Sequence, residues 1–257
     1  MNLRTIIQHG IDELQFRFDI LPELLYQPLP WLGLKSAKRG AGTEARWTAI
    51  EAAIDNLAID SALDAGCNVG YFCFSLAFKG IPTLGIDLDE RFLRVARRAA
   101  HKLNVSGVAF CNMEINRDTV RLLPEVDLSL LLSVWHHWVR AYGLGIASEM
   151  LAAVWARSRR VLFFETGEAE MPPDFGLPML KLSPRDWLAD YLQAMCAGST
   201  VEWLGAFKAF APQGDETRNV VYRNLFKIAR ADDSSIETRP AHMSLPREAV
   251  EVPGRHR

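Results

Sequence analysis

Leu63-Asp64-Ala65-Gly66-Cys67-Asn68-Val69-Gly70-Tyr71-Phe72 reads as a buried strand that runs into a glycine-supported turn and on into a helix. Ser61 to Leu63 close an apolar strand, Gly66 and Gly70 let the chain turn where a Cβ would obstruct it, and Tyr71 to Lys79 open the helix. Such a turn brings main-chain N–H groups and a helix N-terminus up against a ligand. Asp64, at the strand's end, adds a carboxylate.

That carboxylate bears on which ligand. A dinucleotide loop is written G-x-G-x-x-G and cradles a pyrophosphate, which an acidic neighbour would repel. Asn68 and Tyr71 stand here where that pattern requires glycines. The segment resembles instead motif I of the class I S-adenosylmethionine-dependent methyltransferases, D-x-G-x-G-x-G, with Asn68 in place of the middle glycine. The resemblance implies S-adenosyl-L-methionine as cofactor, a ligand with a sulfonium, an ammonium and no phosphate. It places Asp64, Gly66, Asn68, Gly70 and Tyr71 beside it. A second acid, Asp87, ends the apolar run Ile81 to Ile86, 23 positions beyond Asp64, where a strand-tip carboxylate accepts hydrogen bonds from ribose hydroxyls.

The chain has 257 residues, 49% of them apolar, which suits one sizeable α/β domain with a modest extension. Its 29 basic and 31 acidic residues give a formal charge of −2, so no global field recruits a polyanion, and nucleic acid is not an expected partner. Cys67, Cys73, Cys111 and Cys196 lack the spacing of a zinc site or a disulfide framework, and no metal is expected. The N-terminus lacks the apolar core of a signal peptide and no run reaches the length of a membrane span, so a cytoplasmic location is the expectation.

Along the chain, residues 1–57 read as an N-terminal helical and irregular segment capping the site, broken by prolines between Pro22 and Pro30. A basic stretch with Lys38 and Arg39 follows, and Thr43, as N-cap, opens a helix to about Leu57 with Arg46 on it. These three cations read either as groups closing over the crevice or as loop charges. Residues 58–230 alternate strands and helices, with further strands near 108–111, 126–134, 160–165, 201–207 and 224–229. The near-continuous apolar run Val126 to Val134 marks a central strand buried on both faces. Helices are expected near 89–103, 145–158 and 184–197, the first carrying a basic face of Arg91, Arg94, Arg97, Arg98 and Lys102. The predicted fold is a doubly wound, mostly parallel seven-stranded sheet with helices on both faces, its reversed last strand implied by the family resemblance. Residues 231–257, rich in charge and proline, read as a disordered tail.

Ligands of an open parallel sheet bind beyond the carboxyl ends of the strands where strand order reverses. Ser133-Val134-Trp135-His136-His137-Trp138 follows the fourth strand there, and Glu165-Thr166-Gly167-Glu168 the fifth. Imidazole titrates near neutrality and indole can wall off a substrate. The first of these segments resembles the motif IV region of small-molecule methyltransferases. One histidine is read as a general base, His136 first with His137 as the alternate, and packing of either against the cofactor or a loop is the other reading. Ser133 joins the cofactor residues, while Trp135, Trp138, Glu165 and Glu168 are candidates for contact with the acceptor. Asn112 and Met113 follow the third strand, where the family carries a polar residue beside the adenine. The expected function is methyl transfer to a small molecule, with oxygen favoured. A transfer-RNA-modifying enzyme of related fold and a cofactor-binding protein without chemistry are the alternatives.

Overall fold

A computed structural model describes residues 26–34, 42–168, 170–178, 183–209 and 221–231. Most of the N-terminal helical reading, the run with Lys38 and Arg39, and the tail beyond Ala231 lie outside the described residues. Seven strands form one sheet: β1 Ala62–Ala65, β2 Thr83–Asp87, β3 Val108–Asn112, β4 Val126–Leu132, β5 Ser158–Glu165, β6 Ser199–Ala209 and β7 Val221–Arg230. Their order is β3-β2-β1-β4-β5-β7-β6, as the doubly wound reading requires. β7 runs antiparallel to both β5 and β6, so it is the reversed strand.

The core lies on both sides of this sheet. All seven residues of β4 are buried, and their side chains alternate between two layers. Leu128, Leu130 and Leu132 pack with Ile50 and Ile54 of α1 (Thr43–Ile54) and with Phe72 and Leu76 of α2 (Tyr71–Phe78). Leu131 turns to the opposite layer with Leu162 and Phe164, against Met150 and Val154 of α4 (Trp135–Arg157) and Leu188 and Leu192 of α5 (Pro184–Met195). Each such buried aliphatic side chain contributes about 1.5–3 kcal/mol relative to exposure. Helix α3 (Glu90–Lys102) buries Leu93, Val95, Ala96 and Ala99 and is N-capped by Asp89, whose carboxylate accepts from the Arg91 N–H. Its basic face is turned to solvent, with Arg91 and Arg97 paired to Asp89 and Glu90.

Several boundaries differ from the sequence reading. β1 ends at Ala65, so Asp64 sits inside the strand, with its side chain in the interior. Gly42, in a left-handed conformation, is the N-cap of α1, and Thr43 is its first residue, with Oγ1 accepting from Arg46. β4 stops at Leu132 because Ser133 takes a φ of +61°. α4 then begins at Trp135, ten residues before the predicted start. Gly143 interrupts its helical geometry, and the pair Gly143 and Gly145 conceals the earlier turns from a periodicity argument.

Residues 26–34 lie against the start of α2. Leu29 is fully buried beside Val69 and Phe74, and Trp31 stacks on Tyr71 with ring centroids 5.4 Å apart. The crevice beyond β1 and β4, which neighbour each other at the reversal of strand order, is thereby walled on one side by this segment.

Candidate active site

A cavity of about 700 Å³ opens at the carboxyl ends of β1, β2 and β4. On its first wall the loop after β1 is fixed from β2. The Gly66 and Cys67 N–H groups both donate to the Ile86 carbonyl, at 2.8 and 3.0 Å, and the Asn68 N–H donates to Asp87 Oδ2 at 2.8 Å. Gly66 has a φ of +83°, and a Cβ there would collide with Val134 Cγ2, so this position needs glycine on both counts. Asn68 carries the left-handed turn with a φ of +52°, and its side-chain Oδ1 is buried with no partner among the described residues. The α2 N-terminus has no local side-chain cap; Gln27 reaches in from the leading segment and its Oε1 accepts from the Tyr71 N–H at 3.1 Å.

Asp87 lines the cavity and accepts also from the Asp89 N–H at 2.9 Å. Burial pushes its carboxyl above the usual carboxylate range, against the backbone N–H bonds that pull it down. Met113 lies on the same wall, as do Leu88 and Phe92. Four of the residues read as cofactor ligands stand behind this wall rather than on it. Asp64 is buried beneath the loop, 3.4 Å from Cys73 Sγ, and desolvation raises its carboxyl to about 7. Gly70 and Tyr71 form the helix start and the stack with Trp31. Asn112 is exposed, and its amide donates to the carbonyls of Asp87 and Leu88, holding the post-β2 loop in place.

The opposite wall comes from the segments after β4 and β5 and from β7. Ser133 donates through Oγ to Glu165 Oε1 at 2.8 Å and accepts from Arg223 Nη1 at 2.9 Å. Glu165 is fully buried and takes both oxygens to Arg46 Nη1, at 2.9 and 3.1 Å. Arg223 in turn donates through Nε to Glu170 at 2.7 Å. Ser133, Arg46 and Arg223 line the cavity, whereas Glu165 is their buried counter-charge. Glu168 is likewise withdrawn: both carboxylate oxygens are taken by Asn224, and burial pushes its carboxyl up to about 7. Trp138 lines the cavity, but Trp135 is fully buried in the core against Phe164 and Tyr191. As the first residue of α4 it turns inward, while the three residues that follow it line the crevice.

His136 and His137 both line the cavity, their rings 4.2 Å apart. The Gly167 N–H donates to His136 Nδ1 at 2.9 Å, with Thr166 Oγ1 at 3.1 Å from the same atom. Nδ1 is therefore the acceptor, and the neutral ring carries its proton on Nε2. Burial, then the nearby His137 and Arg223, hold His136 well below the usual imidazole range. His137 is more exposed, and partial desolvation followed by the charges of Arg223 and Arg140 lowers it too.

Residues 59–128 match the family model described as a methyltransferase domain. Over 119 residues the chain is 30% identical to the O-antigen chain terminator bifunctional methyltransferase/kinase WbdD of Escherichia coli, a match covering 46% of this chain and 16% of that protein. A crystal structure of WbdD superposes with a TM-score of 0.61 and 26% identity over 76% of this chain and 41% of that one. In its matched residues and its strand order the chain is similar to the class I S-adenosylmethionine-dependent methyltransferases. The magnesium protoporphyrin IX methyltransferase ChlM from Synechocystis PCC 6803, solved with bound SAM, shares the methyltransferase fold at a TM-score of 0.52 and 17% identity, over 73% of this chain and 77% of that one. The chain spans about a sixth of the curated relative it matches.

Within this methyltransferase fold, the sequence reading passed over Arg223, Gln27 and Tyr26, all of which line the cavity. Arg223 had a signal: an arginine close to the strand residues Leu225, Phe226 and Ile228 is costly inside a domain unless a site requires it. Gln27 had none, because its partner is 44 residues away. Among the described residues no group of histidine, cysteine and acidic side chains is arranged to hold a metal ion, and no helix is long and apolar enough to cross a membrane.

Proposed function

We propose that this chain transfers a methyl group from S-adenosylmethionine to an oxygen of a small molecule. The observation that carries the proposal is one cavity bordered on one side by Gly66, Asn68 and Asp87 and on the other by two neutral imidazoles. The first wall suits the cofactor: Asp87 retains carboxylate lone pairs toward the cavity for ribose hydroxyls, and the orphaned Asn68 Oδ1 gains an outside donor. Gly66, Asn68, Asp87, Leu88 and Met113 would hold it. When bound, the cofactor supplies a methyl group already activated on a sulfonium.

The protein's remaining tasks are alignment and removal of the acceptor's proton. His137 suits the second task. Its neighbour's Nδ1 already accepts from Gly167, so His136 can present only an Nε2–H donor, which orients an acceptor oxygen without deprotonating it. Trp138 and Met171 supply apolar walls that keep water from the reacting oxygen.

Calorimetry with S-adenosylhomocysteine tests the cofactor assignment. Saturable binding is expected, and Asp87→Ala should weaken it by about 1.5–3 kcal/mol through lost charged-group hydrogen bonds. Absence of binding, or unchanged affinity in Asp87→Ala, removes the proposed cofactor wall.

A further inference from the structure

We propose that Arg223 binds an anionic group of the methyl acceptor, a carboxylate or a phosphoryl oxygen, next to His137. This rests on the methyl-transfer reading and names the class of its substrate.

The proposal begins with an incomplete set of partners. Arg223 is 4% exposed, yet it lines the cavity. Its Nε is spent on Glu170 and one Nη1 bond on Ser133 Oγ. Among the described residues Nη2 has one hydrogen-bond partner, Met171 Sδ at 3.7 Å, a weak acceptor, with Tyr26 on the same cavity acting on the guanidinium through its charge rather than through a hydrogen bond. A buried guanidinium donor without an oxygen partner is costly, and an anion in the cavity removes that cost with two charge-assisted bonds. Arg46, the other cation of the cavity, differs in this respect, because its Nη1 is held by both oxygens of Glu165 and its Nη2 by Thr43. Glu165 also accepts from Ser133 and acts on Arg223 at longer range, but among the described residues the carboxylate in direct contact with the guanidinium is Glu170.

Topology separates Arg223 from the cofactor wall. β7 lies four strand positions from β2, which carries Asp87, so the two are roughly 19 Å apart across the sheet at the usual spacing. Arg223 belongs to the side of the crevice where Ser133, His136 and Met171 stand. Its charge also acts on both imidazoles, which are lowered in part by it. An anion seated on Arg223 cancels that field, so acceptor binding itself raises the basicity of His137. The groups facing His137 are His136, Phe175, Arg140 and Arg223, and Arg140 is engaged by Asp174. Arg223 is therefore the cation whose charge a bound substrate can change.

The test uses the full chain loaded with S-adenosylhomocysteine, titrated with inorganic phosphate and, separately, with acetate, while the histidine ring nitrogens are followed by NMR. One of the two anions should bind saturably and raise the pKa of His137, and which one binds assigns the acceptor as phosphoryl or carboxylate. Arg223→Gln should weaken that binding at least tenfold and leave S-adenosylhomocysteine affinity unchanged, whereas Glu170→Gln, which frees the guanidinium, should strengthen it. The second variant keeps the question open to test should the first fold poorly. Neither anion binding, binding indifferent to both variants, or an anion that binds the free protein and is expelled by S-adenosylhomocysteine would each overturn the proposal, the last by giving Arg223 to the cofactor's own carboxylate. Failure of S-adenosylhomocysteine to bind would instead remove the cofactor reading, and the same anion titrations on the free protein would then decide on Arg223 alone.

Discussion

His136 and His137 are adjacent in the chain and unequal in the site. The first has its Nδ1 committed to a main-chain N–H and is sealed under Phe175 and Gly167; the second leans on the first with its ring more open to the cavity. In the proposed reaction His137 is the imidazole that accepts the substrate's proton, because Nδ1 of His136 is already committed. His137→Gln should lower turnover by roughly 10²–10⁴-fold, the usual scale of lost proton transfer, while His136→Gln should do much less. The pH dependence has a definite sign. A base must be neutral, and a lowered pKa keeps it neutral further into acid, so kcat/KM should fall with acidity only through a limb below 6.5. A limb at or above 6.5, or near-normal turnover in His137→Gln, would take the base role away from this residue.

At the scale of elements, the geometry of the histidines depends on an irregular helix. Residues 135–142 of α4 carry His136, His137, Trp138, Ala141 and Tyr142 into the cavity, and Gly143 then takes φ +80° and ψ 162°, a conformation reserved in practice for glycine. Nothing lies within 4 Å of a Cβ placed at Gly143 or Gly145, so space does not distinguish the two positions; backbone conformation does. Gly143→Ala should cost about 1–3 kcal/mol in urea unfolding and disturb turnover with it. Gly145→Ala, in ordinary helical backbone, should stabilise by about 0.5–1 kcal/mol. Equal midpoints for the two variants would mean that the kink is not imposed by Gly143. The strands themselves were legible because β4 is a near-continuous apolar run and β1, β2 and β5 are short apolar runs ended by a glycine or an acid, and the loop after β1 because its turn demands specific residues. The first turns of α4 were not, since two glycines and a cluster of aromatic residues there break the helical period. Arg46 with Glu165, and Gln27 with Tyr71, were beyond reach for another reason: each pair is local only after the sheet has formed.

For the whole molecule, a titratable group buried behind one wall and another on the opposite wall pull stability in opposite directions. Asp64, ordinarily at 3.8, is raised by burial to about 7. Between these values the folded chain holds a proton that the unfolded chain has released, so the contribution of Asp64 is complete below 3.8 and is lost as pH rises toward 7. His136 behaves in the reverse sense: kept neutral when folded, it costs stability as pH falls below 6.5. Asp64→Asn isolates the first effect. Measured by urea unfolding, the stability of this variant relative to the natural protein should grow from pH 4 to pH 7 by an amount on the order of a few kcal/mol, then level off. A gap that does not change over this range would mean that Asp64 is ionised in the folded state. The reversed β7 also has a consequence in time. Asp87 and the glycine loop can be assembled by the first half of the domain, but Arg223 and Asn224 arrive on the last strand, which inserts between β5 and β6 after both have been synthesised. On a translating ribosome the wall proposed for the acceptor is thus completed only after the one proposed for the cofactor, and a chain interrupted before residue 221 would retain the glycine loop while lacking the strand that carries Arg223.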